Sequence, residues 1–180
     1  ERPGSRAALS LVYRRLRDPP LSLVIRGARV VVGDGSVLPR ADVHIADDRT
    51  SARYELRLNA ADLAEPLGLA SESAVSDDAI AADADRLYRY AVDHIALDGD
   101  RAACTPTLVG VDVVRQTDRF ARIAWTCTWP APIETFAIEY DVFFDDLDPK
   151  HTGLLAVTAG GRTATATLSA DASRFEWTLG

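Results

Sequence analysis

Hydrophobic and polar residues alternate with a period of two through most of the second half of the chain. Apolar side chains fall on one face of residues 121–129 and of residues 135–144, with polar side chains opposite. This period is typical of half-buried strands. Shorter segments with the same alternation are 52–58, 109–113, 164–168 and 175–179. Several amphipathic strands joined by short turns predict a mainly β fold, an antiparallel immunoglobulin-like β-sandwich.

The alternation also predicts which side chains face inward. In the two longest segments the predicted inward residues are Ala121, Ile123, Trp125, Cys127 and Trp129, followed by Phe136, Ile138, Tyr140, Val142 and Phe144. Val109, Val111 and Val113 continue this pattern one strand earlier. Core packing therefore accounts for the tryptophans, Trp177 included, better than a ligand-stacking surface does.

A different period between Asn59 and Leu97 predicts a helical insertion over about residues 60–97. Asn59 is a suitable cap for a short helix that Gly68 closes, and Ser76 followed by two aspartates is a typical helix start. Apolar residues then recur at helical spacing along one stripe, at Ile80, Ala84, Leu87, Tyr88, Ala91 and Ile95. We therefore predict an N-terminal extension with short strands over residues 1–40, and a sandwich domain with this insertion over residues 41–180.

Composition narrows the range of partners. The 180 residues are 47% hydrophobic and 26% charged, with a formal net charge of −7. Nucleic-acid binding needs clustered basic residues, so this acidic balance argues against it. The sequence has no apolar run of the roughly 18 residues that would span a bilayer, which predicts no membrane insertion by this segment itself.

The densest group of potential metal ligands is Asp145, Asp146, Asp148 and His151. Carboxylates suit hard divalent cations, and an imidazole suits nickel, copper or zinc. The same residues also make an ordinary acidic turn, in which Asp148 and Pro149 start the turn and His151 hydrogen-bonds locally. A divalent metal at this turn is thus the single cofactor that the sequence suggests, and the turn alone is the competing interpretation.

The remaining chemistry of the sequence is sparse. His44 and His94 lie on different predicted elements, and their spacing does not require them to meet His151. A G-x-S-x-G elbow for a serine hydrolase is absent, and the glycine pairs are not followed by a phosphate-binding helix. We therefore expect no catalytic residue and a protein that is not an enzyme.

Two cysteines, Cys104 and Cys127, leave two alternatives open. In a reducing compartment they would be buried thiols, and in an oxidising one they would form a disulfide. A simple hairpin centred between Thr117 and Asp118 sets Cys127 opposite Leu108, four residues past Cys104. A kink or bulge at Pro106, which cannot donate to the ladder, would be needed to bring the two together.

The order and spacing of several segments resemble the extracytoplasmic N-terminal domain of HupE/UreJ-type membrane proteins, which are hydrogenase and urease accessory proteins. The resemblance covers about Ala41 to Gly180, through "ARYELRLNAADLAEPLGL", "YAVDHIAL", the cysteine-bearing strands, "IEYDVFFDDLDPKH" and "LSADASRFEWTLG". It implies an envelope location, tethering by transmembrane helices that follow the last strand, and a disulfide between Cys104 and Cys127.

The resemblance predicts a non-catalytic ectodomain that serves interaction, sensing or substrate delivery. Its expected partners are another protein or the membrane portion of its own chain. One alternative is a periplasmic divalent-metal-binding domain centred on the acidic turn.

A second alternative comes from residues 21–49, which resemble the small β-domain that opens metal-dependent amidohydrolases and would make the chain a hydrolase fragment. That family supplies metal ligands from an H-x-H pair, which this sequence lacks. Its catalytic barrel is also too large for the remaining chain.

Overall fold

Ten strands and two α-helices make up the part of the protein that the computed structural model describes, residues 39–115, 118–143 and 151–180. The strands are β1 Arg40–Ile45, β2 Ser51–Asn59, β3 Ile95–Gly99, β4 Ala102–Ala103, β5 Thr105–Arg115, β6 Arg119–Thr128, β7 Thr135–Tyr140, β8 Thr152–Ala159, β9 Arg162–Ser169 and β10 Arg174–Thr178. The helices are α1 Asp77–Ala82 and α2 Ala84–His94, preceded by 3-10 turns at Ala60–Leu63 and Glu72–Ala74. The predicted strands of residues 1–38 lie outside the described residues.

The strands form two sheets that make an open sandwich, so the predicted mainly β, two-sheet fold is confirmed. One sheet has the order β5-β6-β2-β1-β8-β9, and the other has the order β10-β7-β3-β4. All described pairs are antiparallel except β1 and β8, which run parallel. The expected antiparallel arrangement is wrong at this pair, because β1 and β8 lie far apart in the chain and no hairpin between them sets opposite directions. The immunoglobulin-like classification stays a prediction.

A single hydrophobic core fills the space between the sheets, and the predicted alternation decides which residues enter it. Tyr54 of β2 lies opposite Trp125 of β6 in the register of the large sheet, and their rings stack with centroids 4.2 Å apart. The small sheet contributes Phe136, Ile138 and Tyr140 from β7. Burial of such large side chains is the main favourable term in folding.

The helical insertion covers the β5–β6 end of the large sheet. Asn59 and Ser76 cap as predicted, accepting from the N–H groups of Ala61 and Ala79 at 3.0 Å each. The predicted single long helix is divided into α1 and α2 at Asp83. The rings of Tyr88 and Trp125 pack edge to face, with centroids 6.2 Å apart.

Two arginines hold the start of α1 against the β5–β6 hairpin. Arg115 and Arg119 both pair with the carboxylate of Asp77, and Arg119 also donates to the carbonyl oxygen of Val75. The insertion is therefore docked by charge at its start and by the apolar residues Leu87 and Ala91 farther along.

Two details of the predicted strands differ in the structure. A bulge between Leu108 and Gly110 turns Val109 outward, leaving it 50% exposed instead of facing inward with Val111 and Val113. The strand expected over residues 135–144 ends at Tyr140. Val142 is buried as predicted, whereas Phe144 lies outside the described residues.

Candidate functional site

Side chains from the end of α2 and from the segment after β7 meet in what we call the histidine–aromatic cluster, formed by Tyr90, His94, Asp141, Phe143 and His151. Helix α2 places Tyr90 and His94 one turn apart, and their ring centroids are 4.4 Å from each other. The backbone N–H of Asp141 donates to the carbonyl oxygen of His94 at 3.0 Å. The Asp141 Oδ1 atom lies 3.8 Å from Nδ1 of His94, so the carboxylate suits the protonated imidazole.

Phe143 joins the two halves of the cluster. Its backbone N–H donates to the hydroxyl of Tyr90 at 3.1 Å, and its ring lies 5.8 Å from the Tyr90 ring. On the other side, the His151 ring stands perpendicular to the Phe143 ring at 4.8 Å. The rings therefore form a continuous row in the order His94, Tyr90, Phe143, His151.

The backbone at Phe143 is strained. Its φ of 68° lies in the left-handed region, which is costly for a bulky residue. The side chain is nevertheless 2% exposed, so packing against the core holds the conformation in place. Strained backbone of this kind is often found beside functional sites, and Phe143 comes shortly before Asp145 and Asp146 in the sequence.

The cluster brings together two of the three histidines, and His151 is the one predicted metal ligand that lies among the described residues. Asp145, Asp146 and Asp148 lie outside the described residues, so their relation to His151 is not described. Across the described ranges, no three His, Cys, Asp or Glu side chains are grouped as a metal site. His44 is separate, because it projects from the exposed face of β1 opposite Arg53 and Thr158.

Sequence reasoning missed three members of the cluster, Tyr90, Asp141 and Phe143. The spacing of Tyr90 and His94 on one helical face was a usable signal. No sequence signal indicated the pairing of Asp141 with His94, because it depends on β3 and β7 running side by side after a long separation in sequence.

The cysteine pair lies where the chain passes from the small sheet to the large one. Cys104 and Cys127 are at disulfide distance, with Cα atoms 5.3 Å apart. The N–H of Cys104 donates to the carbonyl oxygen of Leu97 in the small sheet, while Cys127 belongs to β6 of the large sheet. A bond between them would therefore link the two sheets, and closing a loop of this length stabilises a fold by roughly 3 kcal/mol on the chain-entropy model.

The register explains how the cysteines approach each other. Cys127 lies opposite Pro106 and not opposite Leu108. Part of the shift comes from the bulge at Val109, whereas the expected position for a bulge was Pro106. Cys104 then lies just before the first residue of β5, where it can reach across to its partner.

The core also contains two buried tyrosine hydroxyls, on Tyr54 and Tyr140. Burial raises the pKa of Tyr140 above its usual value and raises that of Tyr54 well above it, with smaller effects on Tyr54 from Tyr140 and Asp42. Both side chains thus stay neutral under physiological conditions, and they act as packing groups of the core.

Comparisons with known proteins do not assign this arrangement to a family. No protein-family model matches the chain, and no curated protein matches its sequence. Within the described ranges, no helix has the length and apolar character needed to cross a membrane.

The amidohydrolase-like segment is described from residue 39 to residue 49, where it forms β1 and the turn that follows. The hydrolase alternative stays a prediction, and amide hydrolysis by the chain with added zinc would test it.

Proposed function

We propose that the chain is a non-catalytic extracytoplasmic domain of a membrane protein, which serves interaction, sensing or substrate delivery. The observation that carries the proposal is the cysteine pair between the two sheets. Two cysteines at disulfide distance are typical of proteins from oxidising compartments, where such bonds persist.

Two further considerations support an interaction role. The resemblance to the ectodomain of HupE/UreJ-type proteins implies a domain presented outside the cytoplasmic membrane. The sequence also offers no nucleophile elbow or phosphate-binding loop. The expected partner is a protein or the membrane portion of its own chain, and tethering to the envelope membrane is part of the proposal.

The test is the location and redox state of Cys104 and Cys127 in intact cells. Cells expressing the whole protein would be treated with a thiol reagent that does not cross the cytoplasmic membrane, with and without a similarly impermeant reductant. Labelling of Cys104 should require the reductant but not lysis. Labelling that requires lysis and no reductant would refute both the location and the bond.

A control keeps the result interpretable. The double variant Cys104→Ala with Cys127→Ala should lose the reductant-dependent labelling, which assigns that signal to these two cysteines. Intact protein purified from the oxidising compartment should also be two hydrogen atoms lighter than its reduced form.

A second proposal is divalent-metal binding by Asp145, Asp146, Asp148 and His151. One observation favours it: His151 contacts Phe143 within a cluster that also holds the potential donors His94 and Asp141. Imidazole and carboxylate donors together suit nickel, copper or zinc.

A further inference from the structure

The sheets end in four edge strands, and three of them carry features that oppose further strand pairing. Strand β4 has two residues, and β10 alternates charged residues, with Arg174 pairing with Glu176. Strand β5 has a proline at position 106 and a bulge at Val109, and α1 and α2 pack against it. Short length, charge, proline and bulges are the usual protections of an exposed edge.

Strand β9 is different. It runs for eight residues, Arg162–Ser169, with the sequence RTATATLS, and it pairs with β8 on one side. From Thr163 to Ser169 it carries no charge and no proline, and its register with β8 is continuous, without a bulge. Among the described strands, none pairs with its other edge. An extended backbone of this kind is a template for another strand.

The outward face of β9 is a row of threonines. Thr163, Thr165 and Thr167 are exposed, whereas Ala164, Ala166 and Leu168 turn toward the core. Threonine is a favourable strand residue, and threonines opposite each other on neighbouring strands stabilise their pairing. The exposed face therefore favours an added strand of similar composition.

We propose that β9 pairs antiparallel with β9 of a second copy of this chain, which would join the two large sheets across a two-fold axis. With the axis at Thr165, each Thr163 lies opposite the partner's Thr167, and Ala164 lies opposite the partner's Ala166. The pairs from Thr163 to Thr167 then match in size and polarity, while Arg162 lies opposite the partner's Leu168 at each end. Outward residues meet outward residues, as antiparallel pairing requires.

Charge also favours a second copy at this edge. The whole chain has a formal net charge of −7, so two copies repel each other over most of their surfaces. The central part of β9 is uncharged, which leaves this edge as a place where two copies meet without placing like charges opposite each other. Strand pairing of this length is a small interface, so we expect a weak dimer.

Sedimentation equilibrium tests the proposal over protein concentrations from about 10 µM to about 1 mM, the range in which a weak dimer dissociates. The wild-type chain should show a concentration-dependent monomer–dimer equilibrium. Thr165→Lys places two lysines opposite each other at the axis and should weaken the dimer by about tenfold or more. Thr107→Lys, the same change at an exposed position of the protected edge strand β5, should leave dimerisation unchanged.

Hydrogen exchange on the wild-type chain gives a second measurement that needs no variant. In a monomer, alternate amides of an edge strand exchange rapidly, whereas in the dimer consecutive amides from Thr163 to Ser169 should be protected as concentration rises.

A wild-type chain that is monomeric at every concentration overturns the proposal. So does a dimer that persists in Thr165→Lys, or one that is lost equally in Thr107→Lys. Protection of β9 that appears only with a different protein assigns the edge to that partner and also overturns self-pairing.

Discussion

The carboxylate of Asp100 accepts a hydrogen bond from the backbone N–H of Thr135 at 2.8 Å and thereby ties the β3–β4 turn to the start of β7. The same carboxylate accepts from the N–H of Glu134 at 3.1 Å, and the N–H of Asp100 donates to the carbonyl oxygen of Thr135. Asp100 and Arg101 both have positive φ, at 50° and 68°. A short polar side chain tolerates this conformation better than most others do.

We expect Asp100→Ala to destabilise the protein by about 1–2 kcal/mol, since it removes the acceptor for two backbone N–H groups and places alanine at positive φ. Asp100→Asn is the matched control, because it keeps one acceptor oxygen and tolerates the left-handed conformation. Denaturant unfolding would measure both variants. Equal losses for the two would mean that the turn does not depend on these hydrogen bonds.

Gly99 precedes this turn at a point where the end of β3 packs closely against the segment between β6 and β7. A Cβ atom there would lie 2.3 Å from Cγ2 of Ile133 and 2.9 Å from Nε1 of Trp129. The indole N–H of Trp129 donates to the carbonyl oxygen of Ala102 at 3.1 Å, so the ring cannot move without losing that bond.

We therefore expect Gly99→Ala to cost about 1–3 kcal/mol through overpacking. Gly110→Ala provides the control, because a Cβ atom at Gly110 has no neighbour within 4 Å. Thermal unfolding would show a clear drop for the first variant and little change for the second. Similar melting temperatures for both would show that Ile133 and Trp129 can move aside at little cost.

The burial of Tyr54 and Tyr140 predicts a loss of stability at alkaline pH. Burial raises the pKa of each above the value of about 10 in the unfolded chain. Below that pH the folded and unfolded states are both protonated, and stability is unaffected. Above it the unfolded state loses protons first, so each tyrosine lowers the free energy of unfolding by up to about 1.4 kcal/mol per pH unit.

Tyr54→Phe should reduce this alkaline slope, because phenylalanine cannot ionise. Urea unfolding of both proteins between pH 8 and pH 11, roughly the interval that brackets ordinary tyrosine ionisation, would measure the two slopes. Identical slopes would show that Tyr54 ionises as readily in the folded protein as in the unfolded one.

The faces of the strands were predictable because the two-residue period of a strand depends on local sequence alone. Trp125, Phe136 and Ile138 were all assigned correctly to the core on that basis. The parallel neighbours β1 and β8 were not predictable, since strand pairing over so long a separation is decided by tertiary packing. The division of the helix at Asp83 and the outward turn of Val109 were likewise not predictable from local sequence.

The candidate site was predictable only in part. His151 was singled out with Asp145, Asp146 and Asp148 by its position beside the acidic turn, whereas His94 was recognised without a reason to join it. What links them is the row of rings through Tyr90 and Phe143, and the positive φ at Phe143 has no signature in sequence. The approach of Cys104 and Cys127 was also predictable only in part. It depends on a bulge at Val109, whereas the sequence suggested a bulge at Pro106.

The last prediction concerns metal binding at the acidic turn. Titration calorimetry with nickel, copper, zinc and calcium would be performed on the wild-type chain and on His151→Ala. Because an imidazole donor favours the first three ions over calcium, His151→Ala should weaken their binding by about tenfold or more and change calcium binding little. His44→Ala is the control, since His44 lies on the exposed face of β1 away from the cluster. Melting curves would confirm that each variant folds. The absence of heat with all four ions, or equal losses in the two variants, would rule out this metal site and leave His151 as a packing partner of Phe143.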